Sequence, residues 1–210
     1  MFILSCILLI STLLLAQSIK KSRSCAGVSL KTQILFAIVY SIGFIVDTSR
    51  LLGNAESDYL DLLDYLVNLN SLGAIYFVIY LIAIKYKHSY DRNHDSFRIS
   101  FIIIPSFLLS LLFFNGDNGE DSSYLLEILS TFSYILNCFA ILPQYIQLKR
   151  TGDIDTLTPN YIVTLTVYRV FNWTSLPSLP LLIIRIAQIA FDILNLYQFF
   201  KIPNYTISLS

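Results

Sequence analysis

Apolar and polar positions alternate on the scale of whole helices rather than single turns. Residues 1–19, 65–84, 99–115 and 128–148 hold no charged side chain. An apolar helix of about 20 residues crosses the hydrocarbon core of a bilayer. Extending the search to runs interrupted by one or two polar groups predicts seven spans: residues 2–18, 33–52, 66–84, 99–114, 124–148, 161–173 and 181–200. The first lacks a positive n-region and its cations Lys20, Lys21 and Arg23 follow it, so it is expected to be a span rather than a cleaved leader. Pro177 and Pro180 crowd the turn between the last two spans. The expected fold is an all-α membrane protein, a single domain over 1–210 with short connections and no soluble appendage.

Composition agrees with that pattern. Charged residues make up 13% of the 210-residue chain, against about a quarter in soluble domains. Fourteen cations balance fourteen acids, so no basic excess exists to hold a nucleic acid. The three cysteines, Cys6, Cys25 and Cys138, are scattered and form no metal or disulfide pattern. No CxxC, HExxH, GxSxG or phosphate-cradling glycine loop occurs, and neither a metal nor a cofactor is expected.

The cations give a direction. Lys20, Lys21, Arg23 and Lys31, then Lys85, Lys87, Arg92 and Arg98, then Lys149 and Arg150, then Lys201 all fall at one side of the predicted bundle. The positive-inside rule makes that side cytosolic. The opposite connections carry Glu56, Asp58, Asp61, Asp64, Asp117, Glu120 and Asp121 and no cation, which places the N-terminus in the lumen and the C-terminus in the cytosol.

An internal echo links two stretches. Lys21 to Tyr40 and Lys149 to Tyr168 each run from a cationic loop into an apolar span ending Val-Tyr, over twenty residues. Three helices, a linker helix and three more is the parallel-repeat plan of SWEET-like transporters. Repeat one would cover about 1–84, the linker about 99–114 and repeat two about 124–200.

Ionisable groups inside spans are costly and mark functional paths. Glu127 lies one turn inside the fifth span. Arg169 lies about 12 Å into the sixth. Arg185 and Asp192, with Gln188 between them, share a face of the last, while Asp47 and Arg50 share a face of the second. These groups either line a water-filled cavity or form internal ion pairs. Arg169 has no anion on its own helix, and a buried guanidinium fits a carboxylate bidentately, so it points to an anionic ligand. Pro143-Gln144 is expected to kink the fifth span and free a carbonyl. His88 and His94 lack a third metal ligand and read as solvated loop residues, and the sequons at Asn172 and Asn204 are expected to stay unused.

Several strings closely resemble the ER lumen protein-retaining (KDEL) receptors: Lys21-Ser22-Arg23-Ser24-Cys25-Ala26-Gly27-Val28-Ser29, Asn93-His94-Asp95-Ser96-Phe97-Arg98, Glu127-Ile128-Leu129, Ala140-Ile141-Leu142-Pro143-Gln144, Thr151-Gly152 and Val167-Tyr168-Arg169 with Phe171-Asn172-Trp173. The resemblance implies a seven-helix receptor of the ER and Golgi membranes. Such a receptor captures escaped luminal proteins by a C-terminal Lys/His-Asp-Glu-Leu tetrapeptide at mildly acidic pH and returns them in coated vesicles. It implies that Glu127 receives the signal's cation and that Tyr168 and Arg169 face the ligand. It also marks departures. Gly43 and Val46 stand where the family has a carboxylate-gripping arginine and an aspartate, with Asp47 and Arg50 one turn on in reversed order. Asn137 replaces a glutamate and Ser130 an aromatic residue, the first-helix histidine falls near Leu8, an N-terminal arginine falls at Met1, and the tail lysines reduce to Lys201. Arg50 is the expected substitute for the missing arginine. The expected partners are thus the luminal tetrapeptide, vesicle coat proteins and membrane lipid. The rival expectation is a transporter of a small polar solute on the same repeat plan; a G-protein-coupled receptor and an intramembrane enzyme fit the short loops and the absent catalytic groups poorly.

Overall fold

The computed structural model describes residues 2–53, 59–113, 124–151, 159–171 and 179–201. All regular structure there is helical: α1 (Phe2–Ser22), α2 (Leu30–Gly53), α3 (Tyr59–Tyr80), α4 (Ser100–Phe113), α5 (Tyr124–Phe139), α6 (Leu142–Thr151), α7 (Pro159–Phe171) and α8 (Leu179–Lys201). A π turn, Leu81–Lys85, prolongs α3, and a 3₁₀ turn, Lys87–Ser89, follows it. Among the described residues, four stretches are long and apolar enough to cross a membrane, namely Phe2–Ser22, Leu30–Ser49, Asp61–Lys85 and Tyr124–Arg150; Ser100–Phe113 and Tyr161–Phe171 are shorter apolar helices.

The distribution of side chains is what a lipid solvent selects. Ile3 and Leu112 are each 74% exposed, whereas Arg169 is 0% and Asp192 1% exposed. With hydrocarbon outside, burying Leu or Ile gains little, and the polar groups turn inward to satisfy one another. Ser11, Thr12, Gln33, Asn137 and Gln188 are buried with them.

Neighbours follow a simple scheme. α3 packs against α1 and α2, and α8 packs against α5 and α7. The two groups meet through α1 on α7 and α2 on α5, while α4 lies on α5 and α6 on α2.

Two elements differ from the sequence expectation: α3 begins at Tyr59 rather than at residue 66, taking Asp61 and Asp64 from the expected connection into the helix, and the fifth span is broken. Instead of a single helix over 124–148, the chain breaks between α5 and α6 at Ala140-Ile141. Pro143 lies in the first turn of α6, where its missing N–H costs nothing, and it cannot continue the ladder of α5. The π turn ends with Tyr86 N–H donating to Leu81 O at 2.8 Å. After α1, Arg23 takes φ 53, a left-handed helix stop. Gly27 at φ 80 adopts a conformation that glycine accepts without a steric penalty.

Candidate functional site: a buried guanidinium network and an open carboxylate

The break in α5 determines what Arg169 does. The last turn of a helix leaves its carbonyls without intrahelical donors, and these carry the negative end of the helix dipole. In α5 two of them are Asn137 O and Cys138 O, and Arg169 of α7 takes both: Nη1 donates to Asn137 O at 2.8 Å and Nη2 to Cys138 O at 3.1 Å. Nη1 also lies 3.4 Å from Asn137 Oδ1. Nε donates to Asp192 Oδ2 at 2.9 Å, an ion pair with side chains 0% and 1% exposed. The guanidinium carbon lies 5.9 Å from the Phe36 ring centroid. The expected freed carbonyl is therefore present twice, and both copies are used internally.

The same device recurs at the end of α7. Arg185 Nη2 donates to the carbonyl of Arg169 itself, and Nη1 donates to Gln188 Oε1 at 2.6 Å. Gln188 Nε2 reaches Asp192 Oδ2 at 3.3 Å, and Cys138 Sγ donates to Gln188 Oε1 at 3.2 Å. Arg185, Gln188, Asp192, Arg169 and Asn137 thus form one continuous network joining α5, α7 and α8.

This corrects the expectation for Arg169. An anion that its own helix does not offer is supplied by Asp192 from α8, so the guanidinium is engaged before any ligand arrives. The internal ion-pair alternative describes it, with Arg169 rather than Arg185 as the partner of Asp192. The signal on α8 was visible, because Arg185, Gln188 and Asp192 share a stripe; the interhelical pairing was not.

Glu127 is different. It lies in the first turn of α5, and its buried Oε2 has no hydrogen-bond partner among the described residues. Tyr134, seven residues on along the same face, also has a buried hydroxyl without a partner among the described residues, as has Ser11 on α1. From Glu127 to Asn137 this face of α5 covers about 15 Å, ending at the guanidinium network. Tyr168 is 6% exposed, with its ring centroid 6.4 Å from that of Tyr40 on α2. Asp47 is half-buried and has an interaction partner. The side chain of Arg50 lies outside the described residues, as do Asn172, Trp173 and Asn204. At Gly43, the position of the missing arginine, an added Cβ would meet nothing within 4 Å. On α1, Ser5 donates to Asp64 of α3 at 2.5 Å.

The remaining strings converge at the opposite, cationic end. Gln144 of α6 donates through Nε2 to Gly27 O at 2.6 Å and accepts at Oε1 from Ser29 N–H at 2.8 Å, while its own N–H donates to Thr32 Oγ1 at 2.9 Å. Asp95, 2% exposed, accepts from Ser29 Oγ at 3.0 Å, from Lys31 N–H at 3.3 Å and from Tyr90 Oη at 2.6 Å. Burial, then the hydrogen bond to Asp95 and its charge, push the Tyr90 phenol well above its ordinary range. Cys25 donates through Sγ to Tyr86 O at 3.2 Å, and burial raises its thiol. His94 is solvated and, among the described residues, pairs with Asp91 at 2.5 Å. These residues tie three connections together; among the described residues no group of three potential metal ligands occurs.

A helical membrane protein with a polar, charge-bearing interior and a locked cationic end defines a class that binds or moves polar ligands within the bundle. The comparisons identify the family. Residues 24–176 match the model of the ER lumen protein retaining receptor. The chain is 42% identical over 166 residues to the ER lumen protein-retaining receptor of Dictyostelium discoideum, covering 78% of this chain and 72% of that protein. It is 40% identical to receptor 2 of Xenopus tropicalis, over 79% and 73%, and 41% identical to the Drosophila melanogaster receptor, over 77% and 71%. This chain belongs to the ER lumen protein-retaining receptor family. The solute-transporter alternative is not favoured by these relatives.

Proposed function

We propose that this chain is a retrieval receptor of the ER and Golgi membranes that binds the C-terminal Lys/His-Asp-Glu-Leu-type tetrapeptide of escaped luminal proteins and performs no catalytic step. The observation that carries the binding mode is the buried Oε2 of Glu127, which has no partner among the described residues. An unpaired carboxylate oxygen in that setting is costly unless a cation completes it, and the signal supplies one.

The ligand would enter from the acidic end and lie across the mouth, with its cation at Glu127 of α5 and its terminal carboxylate at Arg50 of α2, Asp47 standing beside Arg50. Arg169, bonded to Asp192, would pin the end of α5 and so position the face that runs from Glu127 past Tyr134 towards Asn137 and Tyr168 as the wall of the site. The packing scheme supports the three-plus-one-plus-three plan, seven spans in all with α5 and α6 as one. Exchanging α1, α2 and α3 for α5, α7 and α8 maps each described neighbour pair of the first group onto one of the second. The N-terminus would then be luminal, and the locked cationic end would face vesicle coat proteins in the cytosol.

The test is direct binding. A fluorescent peptide ending in HDEL or KDEL binds the purified receptor at mildly acidic pH, whereas the same peptide with an amidated C-terminus does not. Glu127→Gln weakens binding of both signals, and Arg50→Gln weakens it through the terminal carboxylate. Equal affinity for the amidated peptide overturns the proposal, and unchanged affinity in Arg50→Gln removes that residue from the site.

A further inference from the structure

The break between α5 and α6 leaves a crevice at the cationic end that the receptor function does not use. It is lined by Thr32 of α2, Ile141 of the break, Gln144, Tyr145 and Leu148 of α6, and Tyr161, Ile162 and Leu165 of α7, and it is a shallow groove open to the outside. Ile141, Tyr145 and Ile162 are partly exposed, while Leu148, Tyr161 and Leu165 are buried.

Several polar atoms on its wall are already committed. Both side-chain polar atoms of Gln144 are bonded to Gly27 and Ser29, Thr32 Oγ1 accepts from Gln144 N–H, and Tyr161 Oη accepts from Gln33 Nε2 at 3.3 Å. What faces the gap is hydrocarbon. The surface of the gap is nearly all apolar, so a polar solute finds few partners there and water gains too few hydrogen bonds to fill it. An alkyl chain, by contrast, recovers the dispersion contacts that an unfilled gap forfeits.

The rim supplies the second half of a recognition site. Lys149 Nζ lies 4.8 Å from the ring centroid of Tyr145, so an exposed ammonium is held on the crevice wall itself. Its neighbour Arg150 is also exposed. A cationic rim over an apolar slot at the end of a membrane bundle matches an anionic headgroup over an acyl chain.

We infer that this crevice binds one anionic glycerophospholipid, its acyl chain between α6 and α7 and its headgroup at Lys149. The lipid would fill the gap that the helix break creates and brace α6 against α7.

Native mass spectrometry of the detergent-purified full chain tests this, with dioleoyl phosphatidylserine and dioleoyl phosphatidylcholine added in turn. One phosphatidylserine is retained about fivefold better than phosphatidylcholine, the scale of one surface cation. Lys149→Gln brings the two lipids to parity with one lipid still retained. Ile162→Trp fills the slot and abolishes retention of both. Excess glycerophosphoserine, the headgroup without chains, leaves the lipid in place. No retained lipid, equal retention of the two lipids by the unaltered chain, or displacement by the headgroup alone overturns the inference. The lipid and peptide assays are separate, so this site can fail while tetrapeptide binding stands, and the reverse.

Discussion

Asp192→Asn separates a structural guanidinium from one that waits for a ligand. The substitution removes the only carboxylate seen to pair with Arg169 among the described residues, at a place where both side chains are at most 1% exposed. The amide keeps an acceptor oxygen, so one hydrogen bond from Nε survives, and the carbonyls of Asn137 and Cys138 still accept from the two terminal nitrogens. What is lost is charge compensation. Removing one partner of a buried pair costs about 3–5 kcal/mol in soluble proteins, whereas a hydrogen bond between membrane helices averages about 0.6 kcal/mol. With the carbonyls and the α5 dipole retained, the loss is about 2–3 kcal/mol. At roughly 2–4 °C per kcal/mol for a chain of this length, Tm falls by about 4–12 °C. Thermal unfolding in mild detergent, followed by far-UV circular dichroism, reads this. The double variant Arg169→Gln/Asp192→Asn recovers stability relative to the sum of the single losses, with a coupling of about 1–3 kcal/mol. If Asp192→Asn leaves Tm unchanged, and Arg169→Gln abolishes peptide binding at unchanged Tm, Arg169 is a ligand group and the positioning role is wrong.

Other outcomes follow from the same geometry. Gly43→Arg places a cation where an added Cβ meets no neighbour, and it raises affinity for a free-carboxylate peptide by about tenfold, one charged hydrogen bond, without helping the amidated one; no gain in a fluorescence titration refutes it. Gln144→Ala deletes side-chain hydrogen bonds to both Gly27 and Ser29, lowering stability by about 1–3 kcal/mol; an unchanged unfolding midpoint would show that the lock at the cationic end is dispensable. Asp95→Asn removes the negative charge and weakens the hydrogen bond that, after burial, hold the Tyr90 phenol protonated. Its ionisation then shifts down towards the ordinary range in a pH titration of ring-labelled tyrosine, and an upward or absent shift contradicts the assignment.

Charge-free runs of about 20 residues have one inexpensive home, a bilayer, so the helical membrane character was legible before any coordinates. Glu127 was legible for the same reason, since a carboxylate inside a span must have a use or a partner. The strings around Ser22–Ser29, Asn93–Arg98 and Pro143-Gln144 announced a family, although not that they would meet one another. Sequence could not tell whose partner each buried charge is. Arg169 is satisfied by Asp192, 23 residues away, and by two carbonyls that exist as free acceptors only because α5 stops at Phe139. Hydropathy registers that stretch as one span because Ala140 and Ile141 are as apolar as their flanks. The chain determined which groups must hide from lipid, through transfer energies local to each residue. Only the packed bundle decided which of them satisfy each other and which, like Glu127, are left open, because pairing depends on distances between helices that no spacing along the chain encodes.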